Sequence, residues 1–202
     1  MFPPLPPITR AIIIANVIVY LLELAMPPLV QVFALWPLGP LFHWWQVVTY
    51  AFLHEPHYFP HILFNMFALY MFGGALETYW RNQGAATFYV LFYFASVLAA
   101  AGTELLVLGQ SSSAEPVVGA SGGVFGLLLG FAWFFPRNKL IVLPIPIPIS
   151  AWLLVTIYGA IELWLGVTGR QDSVAHFAHL GGMLGGAIMI LLWRARGPTT
   201  VR

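Results

Sequence analysis

The chain has no cysteine. That absence removes disulfides, thiolate metal sites and cysteine nucleophiles together. Charge is scarce as well: Asp, Glu, Lys and Arg make up 7% of the residues, against about 25% in an ordinary soluble domain. So few charged groups cannot solvate a globule of 202 residues, 60% of them hydrophobic. The chain therefore reads as an integral membrane protein, with the lipid bilayer as its solvent, and its length suits a single compact helical bundle. A formal net charge of +1 argues against nucleic acid as a partner. The opening Met1-Phe2-Pro3-Pro4-Leu5-Pro6-Pro7 lacks the basic n-region and small-residue cleavage site of a signal peptide. The first apolar stretch is thus expected to remain as a transmembrane helix.

Six segments are apolar over the roughly 20 residues that a spanning helix needs: about 8–25, 60–80, 85–108, 117–135, 149–167 and 173–193. The breaks between them carry turn chemistry: Pro27-Pro28, Arg81-Asn82-Gln83-Gly84, Gly109-Gln110-Ser111-Ser112-Ser113, Pro136-Arg137-Asn138-Lys139 and Thr168-Gly169-Arg170-Gln171-Asp172. Pro60 suits the first turn of the second segment, where its missing N–H costs nothing. Arg10, Arg81, Arg137, Lys139, Arg194, Arg196 and Arg202 fall on one side of this map and only Arg170 on the other. The positive-inside rule then puts both termini in the cytoplasm. The acids, Glu162 and Asp172 among them, read as helix-end or loop residues. Residues 26–59 form a long loop rich in tryptophan (Trp36, Trp44, Trp45) without Lys or Arg, which suits the membrane interface. Leu143-Pro144-Ile145-Pro146-Ile147-Pro148-Ile149 reads as a stiff extended connector. No internal repeat or separate soluble domain is visible, so residues 1–202 read as one all-α domain of six transmembrane helices.

Three of these segments carry polar groups near the same edge. His61 and Asn65 lie in the first two turns of the second, Ser121 at the start of the fourth, and His179 about two turns into the sixth. At 1.5 Å per residue all lie within roughly 10 Å of the outer ends of their helices. A serine nucleophile needs a base, and histidine is the usual one near neutral pH. Asp172 lies seven residues before His179, in the loop, so no acid is well placed to orient His179, and a Ser121–His179 dyad is expected rather than a triad. An oxyanion needs donors. His61 and Asn65, at i and i+4, share a helix face, and the Ser121 N–H at a helix start is another. Gly182 and Gly186 share the His179 side of their helix, and Gly119, Gly122, Gly126 and Gly130 form a small face on the fourth, which suits close packing. Ser121 points away from that face in an ideal helix, so it is expected where the helix is only beginning.

Each signal is weak alone, since small residues in membrane helices usually pack and a lone intramembrane histidine is usually hydrogen-bonded. Their shared depth on alternate helices points to peptide-bond hydrolysis within the bilayer. His176 could compete as base but lacks the matched glycine spacing. His54-Glu55-Pro56-His57 has two residues rather than three between its histidines, and Pro56 opposes the helix a zinc pair needs, so it reads as loop, as does His43. Asn16 and Thr156 read as satisfied polar residues within helices.

Trp45-Gln46-Val47-Val48-Thr49-Tyr50-Ala51-Phe52-Leu53-His54, His61-Ile62-Leu63-Phe64-Asn65, Gly73-Gly74-Ala75-Leu76-Glu77, Gly119-Ala120-Ser121-Gly122 and Ala178-His179-Leu180-Gly181-Gly182, in this order, resemble the rhomboid family of intramembrane serine proteases, in its six-helix prokaryotic form. The resemblance implies Ser121 as nucleophile, His179 as general base, and His61, Asn65 and the Ser121 N–H as the oxyanion site. It implies that Gly119 and Phe125 border the substrate. It further implies transmembrane protein substrates cleaved near the outer face, no metal or other cofactor, and a place in a prokaryotic inner membrane. Movement of the fifth helix and the loop before the sixth would give access. Two positions depart from some members: Gln46 stands for an Arg, whose hydrogen bonds are then absent, and Phe125 for a Tyr, which keeps a ring beside His179 without its hydroxyl. The rival reading is a catalytically inactive rhomboid-like protein that binds transmembrane helices.

Overall fold

The computed structural model describes residues 4–108, 115–142, 145–168 and 175–195. Arg170, Asp172, Arg196, Arg202 and the break at residues 109–113 lie outside the described residues. The helices are α1 (Pro7–Ala25), α2 (Pro28–Phe33), α3 (Gln46–Thr49), α4 (Phe59–Ala68), α5 (Gly74–Arg81), α6 (Ala86–Leu108), α7 (Ser121–Phe134), α8 (Ala151–Thr168) and α9 (His176–Ala195). A π-helical turn, Leu69–Gly73, joins α4 to α5, so the two form one span, Phe59–Arg81. Among the described residues five spans are long and apolar enough to cross a membrane: α1, α4–α5, α6, α8 and α9.

The fourth expected span differs. The segment 117–135 is apolar throughout, but α7 begins only at Ser121 and has 14 residues. At 1.5 Å per residue it is about 21 Å long, short of a hydrocarbon core of about 30 Å. Hydropathy counted the apolar residues 117–120, which precede the helix and of which Val117 and Gly119 are bonded to the first loop. The proline-rich connector is extended, and it also pairs as a strand. Lys139–Val142 (β1) and Ile145–Ser150 (β2) pair antiparallel, with Leu140 opposite Ile149 and Val142 opposite Ile145. Prolines at alternate positions put all their missing N–H groups on one edge, leaving the intervening residues free to pair on the other.

Helix α7 sits at the centre, packed on α6 and α9 and touched by α4, α5 and α8. Its glycines explain the position. A Cβ on Gly122 would lie 2.5 Å from Ala100 Cβ, one on Gly123 2.5 Å from the Tyr93 ring, and one on Gly182 would run into the Gly122 carbonyl. Backbones can approach this closely only without side chains between them. At one end of the bundle Trp80 is fully buried among the rings of Phe88, Phe92, Phe134 and Trp193. Large apolar side chains such as Ile18 and Leu21 on α1, and Trp152 and Trp164 on α8, point outward, as expected where lipid is the solvent.

Two buried polar side chains order the N-terminal part, Glu77 by tying α1 to this core and Gln46 by holding the first loop together. The Glu77 carboxylate accepts the backbone N–H of Ile8 at 3.0 Å and of Thr9 at 2.6 Å, and the Thr9 hydroxyl at 2.8 Å. It thereby caps the first turn of α1, whose N–H groups have no intrahelical acceptors. Gln46 is the second, and it supplies hydrogen bonds of its own where an Arg's are absent. Its Oε1 accepts the N–H of Trp36 and His43, and its Nε2 donates to the carbonyls of Val32 and Leu41. An amide carries both donors and an acceptor, so Gln46 binds four points of the first loop by itself.

Candidate active site

The segment before Ser121 is shaped by the first loop. Leu35 and Val117 exchange backbone hydrogen bonds, both at 2.9 Å, and the Gly119 N–H donates to the Tyr50 carbonyl at 3.0 Å. Tyr50 is itself buried and donates its hydroxyl to the Val97 carbonyl at 2.9 Å. Burial holds that phenol above its ordinary pKa and so neutral. Gly119 has φ +131°, where side chains are strained, and a Cβ there would stand 2.8 Å from His61 Nε2. The chain can turn into α7 beside His61 only with glycine at this position. Ser121 follows as the first residue of α7.

His179 reaches it from α9. Its Nε2 lies 2.9 Å from Ser121 Oγ, one turn before the contact of Gly182 with Gly122 that brings the two helices together. The Phe125 ring stacks on the imidazole at 4.2 Å between centroids and 9° between planes. Being in α7 as well, Phe125 fixes the plane of the ring that faces Ser121.

On the other flank His61 has a defined tautomer. The Glu55 N–H donates to His61 Nδ1 at 3.3 Å. A neutral imidazole accepting on one nitrogen carries its proton on the other, so Nε2–H is the donor and lies on the Gly119 side. Asn65, buried, gives one amide N–H to the His61 carbonyl at 3.0 Å, which leaves its second amide hydrogen for another acceptor. His54 packs edge-on to His61 at 5.1 Å, and its backbone N–H donates to the Glu23 carboxylate at 3.1 and 3.3 Å. Burial, reinforced by His61, pushes the His54 imidazole down to about 3. His57 is exposed while His54 is buried, so the two do not form a pair.

One expectation is corrected. An acid does stand beside His179: Glu162 Oε2, from α8, lies 3.0 Å from His179 Nδ1. The approach is too oblique to count as a hydrogen bond. The same oxygen is 2.6 Å from His176 Nδ1, so His176 bonds across to another helix rather than locally. Glu162 is no helix-end residue either; it lies about a turn and a half inside α8 and is 8% exposed. Two signals pointed to it: a carboxylate within an apolar run, Ile161-Glu162-Leu163-Trp164, and histidines at i and i+3, which share a helix face. Glu162, His176 and His179 are also the one group among the described residues with three donor atoms close enough for a metal, within 4.8 Å of one another. The 2.6 Å separation of Oε2 from His176 Nδ1 is shorter than the edge of about 3.3 Å between ligands of a tetrahedral zinc. As placed, these groups fit direct pairing better than coordination.

Fold and site together define a multi-pass integral membrane protein with a serine–histidine pair in its helical core, flanked by a second histidine and an asparagine. The family model for the Rhomboid domain matches residues 41–196. Among relatives, the mitochondrial Rhomboid protein 1 of Saccharomyces cerevisiae is 33% identical over 147 residues, 71% of this chain and 40% of that protein. The Rhomboid protease GlpG of Salmonella paratyphi A is 25% identical over 196 residues, 91% of this chain and 62% of that protein. The corresponding protein of Salmonella choleraesuis is 26% identical over the same length. The chain belongs to the rhomboid family and spans about 40 to 62% of the length of these relatives.

Proposed function

We propose that this protein is an intramembrane serine endopeptidase that cleaves transmembrane proteins in or near their membrane-spanning segments. The observation that carries the reading is the 2.9 Å separation of Ser121 Oγ from His179 Nε2 at the start of a helix. Ser121 Oγ attacks the substrate carbonyl carbon while its proton passes to His179 Nε2. The carbonyl electrons move to oxygen, and His61 Nε2–H, the spare Asn65 amide hydrogen and the Ser121 N–H receive the charge. Collapse breaks the C–N bond, and His179 returns its proton to the leaving amine. Water, deprotonated by the same nitrogen, then releases the acyl group and restores Ser121. Gly119 and Phe125 border the space the substrate backbone would occupy. The charge distribution favours cytoplasmic termini and a site facing the outer side, and the resemblance to the six-helix prokaryotic form implies an inner membrane.

The test is cleavage of a panel of transmembrane substrates by purified wild type and Ser121→Ala, with products mapped by mass, alongside fluorophosphonate labelling. Wild type is expected to cleave and to be labelled at Ser121, and the folded Ser121→Ala protein to do neither. Cleavage by the folded variant would overturn the reading. A folded wild type that binds helices but is neither labelled nor active would make it a binding protein.

A further inference from the structure

We propose that Glu162 is a positioning residue for the base: its carboxylate holds His179 with the proton on Nδ1, so that Nε2 faces Ser121 as an acceptor. This rests on the serine-protease reading above. A neutral imidazole has one protonated and one bare nitrogen. For Nε2 to take the Ser121 proton, Nδ1 must carry a hydrogen throughout, and His179 Nδ1 is buried with no hydrogen bond of good geometry. The nearest acceptor placed there is Glu162 Oε2 at 3.0 Å. When Ser121 attacks, His179 gains a second proton and a positive charge, and a carboxylate at that distance stabilises it in a poorly solvated site.

Carboxylates inside a bundle are costly unless paired, and Glu162 is buried between two imidazoles of α9. His176 supplies the tighter contact, 2.6 Å to the same oxygen. It fixes where that oxygen sits, and His179, one turn further along α9, meets it more obliquely. His176 is thus the brace for Glu162 rather than a rival base. Other ionisable groups face the cluster from each neighbouring element: His61 from α4 beside His179, and Glu104 from α6 beside His176. Among the described residues the acid within ion-pair distance of His179 Nδ1 is Glu162. Phe125 holds the plane of the ring by stacking, but stacking cannot choose between tautomers; an acceptor at Nδ1 can.

The test compares Glu162→Gln and Glu162→Asp with wild type, by steady-state cleavage and by the rate of fluorophosphonate labelling at Ser121. Gln keeps the shape but can present its NH2 to Nδ1 and has no charge. The expected result for Glu162→Gln is a fall in kcat and labelling rate on the order of 10²-fold, smaller than the loss in a well-aligned triad because the approach is oblique, with KM unchanged. Glu162→Asp recovers at least part of the loss. Unchanged kcat and labelling in folded Glu162→Gln, while Ser121 still labels in wild type, overturns this inference and leaves the protease reading intact. A wild type that never labels overturns the reading beneath it. Should Glu162→Gln fail to fold, the 15N shifts of the His179 ring in wild type decide: a protonated Nδ1 is expected, and a bare Nδ1 overturns the proposal.

Discussion

A single methyl group at Gly182 should disable the site from outside it. Placed there, Cβ would stand 2.7 Å from the Gly122 carbonyl carbon and 3.1 Å from its Cα, and closer still to the carbonyl oxygen. Ordinary contact begins near 3.4 Å, and every atom met is backbone, so no side chain can swing aside. Helices α7 and α9 must therefore part by roughly 0.7 Å or more, since packed interiors have no slack to absorb the clash. Overpacking of this kind costs about 1–3 kcal/mol. The same displacement stretches the 2.9 Å contact between Ser121 and His179 to about 3.6 Å, beyond hydrogen-bond range. A misplacement near 1 Å costs about 10²-fold in rate. Gly182→Ala is thus expected to lower Tm and to slow both reporter cleavage and fluorophosphonate labelling by about two orders of magnitude. Gly102→Ala is the control: nothing lies within 4 Å of that Cβ, and alanine suits a helix better by about 0.5–1 kcal/mol. Wild-type rate and Tm in Gly182→Ala would refute the packing argument.

Gln46→Ala should strip four hydrogen bonds from the first loop. It leaves the Trp36 and His43 N–H groups and two carbonyls short of partners, at a cost of about 2–4 kcal/mol. Limited proteolysis at residues 32–46 should accelerate, and an unchanged digestion pattern and Tm would count against Gln46 as the anchor. His54 should make stability fall in mild acid. Its native pKa, near 3, lies below the ordinary value of 6.5. Below pH 6.5 the unfolded chain therefore takes up a proton that the native protein does not, and the stability present above that pH is lost towards pH 3 at up to about 1.4 kcal/mol per unit. Thermal unfolding of wild type and His54→Phe at pH 7.5, 6 and 5 checks this: the variant keeps every other ionisable group, so the wild type should lose about 1 kcal/mol more between pH 6 and 5. Parallel curves would rule out His54 as the source.

What the sequence conveyed and what it hid divide along a physical line. Breaks and short-range spacing were legible: the start of α7 at Ser121 followed from Ser121 pointing off the glycine face, and the side of α9 that meets α7 followed from the positions of Gly182 and Gly186. Relations between helices without a small-residue seam were not. The isolated carboxylate in α8 and the histidine pair in α9 were each visible, but nothing in α8 alone sets its rotation, so their meeting was not, and Asp172 stood out instead as the sequence neighbour of His179. Hydropathy misjudged the span at 117–135 because it measures side chains, whereas the backbone of Val117 and Gly119 is bonded to Leu35 and Tyr50. The alternating prolines conveyed an extended connector, but not the partner strand with which Ile145–Ser150 pairs.

The first loop matters to the chemistry because it is bound to the segment that carries Ser121. Gln46 fixes the loop; Tyr50, four residues on, accepts the Gly119 N–H; and Glu55, five further, sets the His61 tautomer. One stretch of chain thus orients both the approach to the nucleophile and a donor of the proposed oxyanion site. The opposite wall is different in kind: α7 and α9 meet backbone to backbone at Gly122 and Gly182, closely enough to exclude a side chain. In the proposed mechanism the loop side, where His61 and Gly119 lie and where Glu55 and His57 are exposed, offers the water for deacylation. A site built this way gains strong electrostatics from its dry wall and its second reactant from its wet one.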